Sequence, residues 1–253
     1  MSTALVIGAS RGLGLALTTS LHSKGQTVFA TVRSPVKPGT FPEGVRIIEM
    51  VDVGNEDAGE TIVKGLGDHK LDLVIINAGY FKTETIDKPI FSEELEMYKT
   101  VAIGPVFLVH HLVKGGFFAK DAKLVLITTE GGSITLRTKE EGGGNYGHHG
   151  SKAAENMVGK LLAHDLVDSG VTVVMIHPGF MRTEMTKGVG YDKFWESGGA
   201  VTPADAAEST LDFVKNVTIK DTGTFWAPRG PRDIGEAERV LGKNLPTPLQ
   251  LPW

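Results

Sequence analysis

The chain has 253 residues, of which 41% are hydrophobic and 22% charged, a balance typical of one globular α/β domain. A net charge of −4 excludes the basic face of a nucleic-acid-binding protein, and the absence of cysteine excludes disulfides and thiolate metal sites. No apolar run reaches the roughly 20 residues of a membrane span. The first predicted strand begins by Thr3 and leads directly into a glycine turn, so we expect no signal peptide, no membrane partner and a cytoplasmic protein.

Short β-branched apolar runs alternate along the chain with longer amphipathic stretches. Most of the apolar runs are continuous, which is typical of parallel strands buried on both faces. The predicted strands are Ala4–Gly8, Thr27–Val32, Arg46–Val51, Leu71–Asn77, Lys123–Thr129, Val171–His177 and Gly223–Trp226. The predicted helices are Gly12–Ser23, Glu56–Leu66, Ser92–Phe118, Gly150–Asp168 and Pro203–Asn216.

Repeated β-α-β units predict an α/β fold, a Rossmann-type doubly wound parallel sheet of about seven strands with helices on both faces. No linker or composition break divides the chain, so residues 1–253 are predicted to form a single domain. Three stretches have the composition of loops. Residues 33–44 are expected to border an adenosine site, residues 137–147 to form a mobile flap, and residues 228–253 to form a C-terminal extension.

A glycine-rich turn follows the first strand and opens the first helix. Glycines at this place let the backbone turn tightly and approach a pyrophosphate, whose charge is stabilised at the helix N-terminus. This turn lies between a well-defined predicted strand and a well-defined predicted helix, and it therefore predicts a dinucleotide site. The residues assigned to it are Gly8, Ser10, Arg11, Gly12, Leu13 and Gly14.

The end of the second predicted strand favours NADP(H) over NAD(H). An acidic residue there would bind a ribose 2′-hydroxyl, whereas an arginine suits a 2′-phosphate. The strand is followed by Arg33, and no Asp or Glu occurs between Leu21 and Pro42. Arg11 lies in the glycine turn and is a second candidate for the phosphate. Alternatively, Arg33 is only a solvated loop residue.

Further motifs make the chain similar to the short-chain dehydrogenase/reductase family, in its smaller branch that resembles C-factor and the carbonyl reductases. The motifs are the glycine turn with Ile7 in place of threonine, Asp52-Val53, Asn77-Ala78-Gly79, His177-Pro178-Gly179, Thr183-Glu184-Met185 and the terminal Leu251-Pro252-Trp253. The resemblance implies that Asp52 and Val53 hold the adenine ring, that Asn77, Ala78, Gly79, Pro178 and Gly179 line the cofactor site, and that Thr183 meets the nicotinamide carboxamide.

The family's reaction centre is only partly matched. The resemblance implies a Tyr-x-x-x-Lys pair, a serine after the fifth strand and an asparagine on the preceding helix. Lys152 is present, but His148 occupies the tyrosine position, Thr129 the serine position and Val101 the asparagine position. The nearest tyrosine, Tyr146, is two residues early, or about 200° around a helix.

This altered centre leaves several interpretations open. In the first, His148 acts as the acid, although the nearby Lys152 cation would lower its pKa. In the second, the acceptor is an iminium ion, which needs no protein acid after hydride addition. In the third, the fold catalyses an isomerisation, cyclisation or dehydration by shape and proximity. A further alternative is a regulatory protein that senses NADP(H). In addition, His148 can be a purely structural residue that caps the helix or fills space.

We expect an atypical NADP(H)-dependent reductase of a bulky hydrophobic carbonyl or iminium compound, acting in secondary metabolism. The resemblance implies that residues 180–200 form a lid over the substrate. Their large apolar side chains suggest a hydrophobic ligand, and the predicted substrate contacts are Tyr146, Phe180, Met185 and Trp195. The two histidine pairs are adjacent in sequence, a spacing that does not favour chelation, so no metal site is predicted. The resemblance also implies a homodimer or homotetramer.

Overall fold

The computed structural model describes residues 2–253. Eight strands form one sheet, in the order β3-β2-β1-β4-β5-β6-β7-β8. The strands are β1 (Thr3–Ile7), β2 (Thr27–Thr31), β3 (Arg46–Ile48), β4 (Leu71–Ile76), β5 (Phe118–Ile127), β6 (Thr172–Ile176), β7 (Thr224–Ala227) and β8 (Leu249–Gln250). The predicted fold is confirmed, with helices on both faces of a sheet that is parallel from β3 to β7.

The helices that cover the sheet differ widely in length. They are α1 (Gly12–Ser23), α2 (Ala58–Leu66), α3 (Phe91–Tyr98), α4 (Gly104–Lys114), α5 (Tyr146–Leu166), α6 (Glu184–Gly188), α7 (Pro203–Asn216) and α8 (Ala237–Leu241). Helices α1 and α7 pack together on one face, while α2 packs against α4 and α5 packs on β6. Two apolar cores result, one on each side of the sheet.

The first strand lies near the middle of the sheet, and the order of the strands reverses there. All five residues of β1 are buried, and Val6 pairs with Ala30 of β2 on one side and Ile75 of β4 on the other. The chain fills the β2–β3 side first and then crosses to β4. In a parallel sheet, such a reversal opens a crevice at the carboxyl ends of the strands, which is where ligands bind.

The sheet has one strand that the sequence analysis did not predict. The two-residue β8 pairs antiparallel with β7, through Trp226 with Gln250 and Ala227 with Leu249. This segment lies within the predicted C-terminal extension. It is too short and too rich in proline to give a strand pattern, and only the exposed edge of β7 makes it a strand.

The single helix predicted over residues 92–118 is wrong. The segment forms α3, then a π-helical turn at Lys99–Ile103, then α4, and Phe118 is already the first residue of β5. Pro105 accounts for the interruption, because it has no N–H to donate to the carbonyl of Val101 four residues earlier. The missing hydrogen bond favours the wider turn at this place.

Helix α5 begins at Tyr146, four residues before its predicted start. Asn145 precedes it with a φ of 52°, and the buried carboxylate of Glu84 accepts hydrogen bonds from the Gly147 N–H (2.6 Å) and the Ile90 N–H (3.3 Å). A carboxylate is favourable at a helix N-terminus because it complements the helix dipole and satisfies a free N–H. A distant residue, invisible to local pattern analysis, thus fixes the first turn of α5.

Within residues 2–253, no helix is long and apolar enough to cross a membrane. Residues 180–200, the predicted lid, contain α6 and a 3-10 turn at Asp192–Phe194. Residues 228–253 pack on the body of the domain: the Thr135 N–H and hydroxyl both donate to the Trp253 carbonyl, at 2.9 and 2.7 Å.

Candidate active site

A cleft of about 1200 Å³ opens at the carboxyl ends of the strands. Most of the predicted site residues line this cleft. Those that line it are Gly8, Ser10, Arg11, Gly12, Leu13, Arg33, Asp52, Val53, Asn77, Ala78, Gly79, Thr129, His148, Lys152, Pro178, Gly179, Phe180, Thr183 and Met185. Gly14, Tyr146 and Trp195 are not part of the cleft wall.

The glycine turn fits a dinucleotide because its backbone is close-packed from behind. Gly8 has a φ of +82°, and a Cβ there would lie 2.7 Å from the Cα of Ala78. A Cβ on Gly14 would lie 2.2 Å from the Gly8 carbonyl oxygen, so Gly14 serves helix packing rather than ligand contact. Side chains at these positions would push the turn away from β4 and close the approach to the N-terminus of α1.

Two polar side chains fasten the turn to the neighbouring strands. The Asn77 Nδ2 donates to the Gly8 carbonyl at 2.8 Å, and the Gly8 N–H donates to the Thr31 hydroxyl at 3.1 Å. Asn77 therefore acts mainly as a brace for the turn. The Asp52 Oδ1 accepts from the Gly54 N–H at 3.0 Å, which orients this carboxylate beside the cleft.

The adenosine end of the cleft carries two exposed arginines. Arg11 precedes α1 and Arg33 follows β2, and both line the cleft. Within residues 2–253, neither guanidinium has an ion-pair partner. Two unpaired guanidinium groups beside a helix N-terminus form a suitable environment for a phosphate.

Lys152 is the retained member of the expected reaction centre, and two hydrogen bonds fix its ammonium group. Its Nζ donates to the Ile127 carbonyl at 2.6 Å and to the Glu155 Oε2 at 2.8 Å. Lys152 is 7% exposed and Glu155 0%. Burial raises the pKa of Glu155 to about 7, although the Lys152 cation acts in the opposite direction.

His148 faces the cleft but is a poor acid. Burial, together with His149 and the Lys152 cation, lowers its pKa to about 3, so the imidazole is neutral at pH 7. The ring stacks on Phe81 with 3.9 Å between ring centroids, and its Nδ1 is buried without a hydrogen-bond partner among residues 2–253. This environment therefore argues against the hypothesis that a protonated His148 acts as the acid of the reaction.

The hydroxyl of Thr129 remains beside the cleft, where it also accepts the Gly131 N–H at 3.2 Å. It can still donate to a ligand, because a hydroxyl has one proton in addition to its lone pairs. Val101, at the expected asparagine position, lies in the π-helical turn and is fully buried. A proton relay through that position is therefore absent.

Two more histidines line the cleft and are also neutral. Burial lowers the pKa of His149 to about 4 and that of His177 to about 3, and the Arg137 cation contributes to both shifts. Both ring nitrogens of His177 are buried without a hydrogen-bond partner in the described chain. Arg137 itself is paired with the carboxylates of Glu130 and Glu141. Among the residues that the structure describes, no cluster suited to a metal ion occurs.

The other end of the cleft has an aromatic wall. It consists of the rings of Phe81, Phe180, Tyr191 and Phe194 together with the apolar side chain of Met185. Tyr191 packs edge-on against Phe81, with centroids 5.8 Å apart, and its hydroxyl accepts a hydrogen bond from Asn145 at 3.1 Å. The wall thus joins the lid to the start of α5.

Two of the predicted substrate residues lie elsewhere. Trp195 donates through its Nε1 to the Thr186 hydroxyl at 3.2 Å, a contact within the predicted lid. Tyr146 is 41% exposed at the first position of α5.

Thr183, the predicted nicotinamide contact, lines the cleft, yet its hydroxyl also caps α6 by accepting the Thr186 N–H.

Phe81, Glu155 and His177 are candidate site residues that the sequence patterns did not predict. Phe81 follows the Asn77-Ala78-Gly79 motif by two residues, and His177 precedes Pro178, so proximity to a motif could have found both. Glu155 lies one turn after Lys152 on α5, a spacing at which side chains meet on a helix.

The family model described as short chain dehydrogenase matches residues 2–193. The chain belongs to this family. A relative from Rhodococcus, 1-hydroxy-2-glutathionyl-2-methyl-3-butene dehydrogenase, is 30% identical over 89% of this chain and 96% of its own length. An uncharacterised oxidoreductase of Saccharomyces cerevisiae is 28% identical over 92% of this chain and 97% of its own.

Among solved structures, the NADPH-bound carbonyl reductase from chicken fatty liver is similar, with a TM-score of 0.77 and 27% identity. The match covers 90% of this chain and 96% of the chicken chain. This short-chain dehydrogenase is accordingly a carbonyl-reductase-like, NAD(P)(H)-dependent oxidoreductase. Its glycine turn and cleft fit the dinucleotide, whereas its reaction centre keeps Lys152 and replaces the tyrosine by His148.

Proposed function

We propose that this protein is an NADP(H)-dependent reductase of a bulky hydrophobic carbonyl or iminium compound. The observation that carries the proposal is one continuous cleft that contains the glycine turn, Lys152 and the aromatic wall. A dinucleotide on the turn and an apolar ligand against the wall would share this space. When bound, the nicotinamide supplies the hydride.

The choice of NADP(H) rests on Arg11 and Arg33. Both line the cleft, and β2 is followed by no carboxylate that would bind the ribose 2′-hydroxyl of NAD(H). A guanidinium binds a phosphate through charge-assisted, often bidentate hydrogen bonds. The similar chicken carbonyl reductase binds NADPH, which is consistent with this choice.

Of the two acceptor classes, the site favours the iminium. Reduction of a carbonyl creates an alkoxide that must receive a proton, and the family's tyrosine is replaced by His148, which is neutral at pH 7. Reduction of an iminium ion creates a neutral amine and needs no proton. The aromatic wall also suits a flat cation through its ring faces.

The test is NADPH oxidation with two aromatic probes, the iminium ion 3,4-dihydro-2-methylisoquinolinium and the carbonyl compound phenanthrenequinone. We expect one NADPH to be oxidised per amine formed and turnover of the iminium to exceed that of the quinone. Lys152→Ala should lose at least tenfold in kcat/KM, whereas Glu208→Gln, on the distant α7, should match the unchanged protein. Faster quinone reduction would reject the iminium preference, and no oxidation with any acceptor would reject the reductase.

A non-redox isomerase or cyclase is the second candidate. It is supported by the altered reaction centre, in which His148 and Val101 stand at the positions of the tyrosine and asparagine that the family resemblance implies. Such an enzyme would form product with no change in NADPH absorbance. The same assay therefore separates the two functions.

We also propose that the protein assembles as a homodimer or homotetramer. Helices α4 and α5 expose apolar side chains, including Phe107, Val113, Met157 and Leu161. Exposed apolar groups of this number on long helices are typical of contacts between subunits. Light scattering after size-exclusion chromatography should give at least twice the 27.1 kDa chain mass.

A further inference from the structure

A buried carboxylate lies directly behind the lysine of the reaction centre. Glu155 is fully buried, does not line the cleft, and contacts the Lys152 Nζ at 2.8 Å through its Oε2. Its other oxygen makes no hydrogen bond of ordinary geometry within residues 2–253, although the nearby Thr128 hydroxyl lowers the pKa of this carboxyl in part. The ion pair is therefore only partly satisfied.

Such a pair is a poor device for stability. Burying two charges costs several kcal/mol of solvation, and the attraction offsets this cost only when the remaining lone pairs are satisfied. Apolar residues in place of both members would avoid this cost, but Lys152 lines the cleft, and without Glu155 its buried charge would have no counter-ion. A role in the chemistry of the site accounts better for the carboxylate.

The geometry of Lys152 indicates that role. An ammonium has three N–H groups. Two of them are taken by the carbonyl of Ile127, a residue of the cleft wall, and by Glu155, which does not line the cleft. Lys152 nevertheless lines the cleft, so one N–H remains for a ligand.

We propose that Glu155 is a positioning residue that keeps Lys152 protonated and aimed with a single N–H at the ligand in the cleft. The proposal rests on the proposed function for the identity of that ligand, NADPH. It also links two features of this chain. Glu155 forms an ion pair with the lysine, and His148 occupies the position of the tyrosine that the family resemblance implies.

Other titratable groups near the pair do not replace Glu155. His148 and His149 on α5 and His177 after β6 share the cleft wall with Lys152, and all three are neutral at pH 7. Glu130, after β5, is paired with Arg137. The carboxylate in contact with the lysine is that of Glu155, and burial raises its pKa to about 7 against the opposing effect of Lys152.

The test compares the unchanged protein with Glu155→Gln and Glu155→Asp. Glutamine keeps the shape and a hydrogen bond but removes the charge, and aspartate keeps the charge on a shorter stem. The matched control is Glu208→Gln, which removes the exposed partner of Lys24 (2.7 Å). The first readout is a pH titration of ¹³Cε-labelled lysines by NMR, with Lys152 assigned through Lys152→Arg. The second is the Kd of NADPH between pH 7 and 10 from nucleotide fluorescence.

In Glu155→Gln, the titration midpoint of Lys152 should fall by about one pH unit or more, because the buried cation loses its counter-ion. The affinity for NADPH should then decline several-fold more between pH 7 and 10 than in the unchanged protein, because a larger fraction of the lysine is neutral at the upper end of this range. Glu155→Asp should lie between the two, and Glu208→Gln should leave the Lys152 midpoint unchanged.

Equal Lys152 midpoints in all four proteins would overturn the proposal, as would a shifted midpoint with an unaltered pH dependence of NADPH binding. If Glu155→Gln does not fold, the same criteria apply to Glu155→Asp. If the unchanged protein does not bind NADPH, the proposed function fails, and the NMR midpoints still decide whether Glu155 controls Lys152.

Discussion

The glycine turn gives the sharpest stability prediction, through Gly8→Ala. Gly8 has a φ of +82°, and an added Cβ would lie 2.7 Å from the Ala78 Cα and 2.8 Å from its nitrogen. The left-handed backbone costs about 1–2 kcal/mol for alanine. Overpacking against backbone atoms, which cannot rotate away, adds about 1–3 kcal/mol. The expected loss of unfolding free energy is therefore about 2–5 kcal/mol.

Gly25→Ala is the matched control, because Gly25 has a φ of +78° and nothing within 4 Å of an added Cβ. It should lose about 1–2 kcal/mol, from the backbone strain alone. Urea denaturation of both variants measures the difference, and NADPH titration should show at least a tenfold loss of affinity in Gly8→Ala only. Equal destabilisation of the two variants would refute the close-packed turn as the reason for glycine at this position.

Three further predictions concern the cleft. Arg33→Ala should weaken NADPH binding about tenfold and NADH binding little, because it removes a charge-assisted contact to the 2′-phosphate; equal losses by fluorescence titration would contradict this. His177→Gln should reduce the loss of unfolding free energy on acidification. Burial holds the pKa of His177 near 3 in the folded protein, whereas an unfolded histidine titrates near 6.5. Between these two pH values the unfolded chain binds more protons, which lowers the unfolding free energy by up to about 1.4 kcal/mol per pH unit. Urea denaturation midpoints at pH 7, 6 and 5 measure how steeply stability falls with pH. The same steepness in His177→Gln as in the parent protein would contradict this role of His177. His148→Tyr should raise phenanthrenequinone reduction at least tenfold over the parent, and an unchanged rate would show that more than the tyrosine is missing.

The central sheet and the glycine turn follow from local patterns. Continuous apolar strands such as β1 and β4 are buried on both faces, so an uninterrupted apolar run in the sequence is enough to predict a central parallel strand. The turn from Gly8 to Gly14 combines a strand end, a helix start and the required glycines. These are short-range features, and the structure retains them.

Long-range contacts decide the features that sequence reasoning missed. The start of α5 depends on Glu84, which lies 63 positions before Gly147, and β8 depends on the free edge of β7. The neutral state of His148 arises from packing against Phe81 and burial in the cleft wall, and neither can be derived from helical spacing. The interruption before α4 is different, because Pro105 was visible and its effect on the helix could have been predicted.

Isotope transfer tests the central claim most directly. NADPH labelled with deuterium at C4 of the nicotinamide, on each face in turn, is incubated with the enzyme and 3,4-dihydro-2-methylisoquinolinium. We predict that deuterium from one face appears at the former iminium carbon, at one label per NADPH oxidised. Product without deuterium from either face would contradict hydride transfer in this cleft.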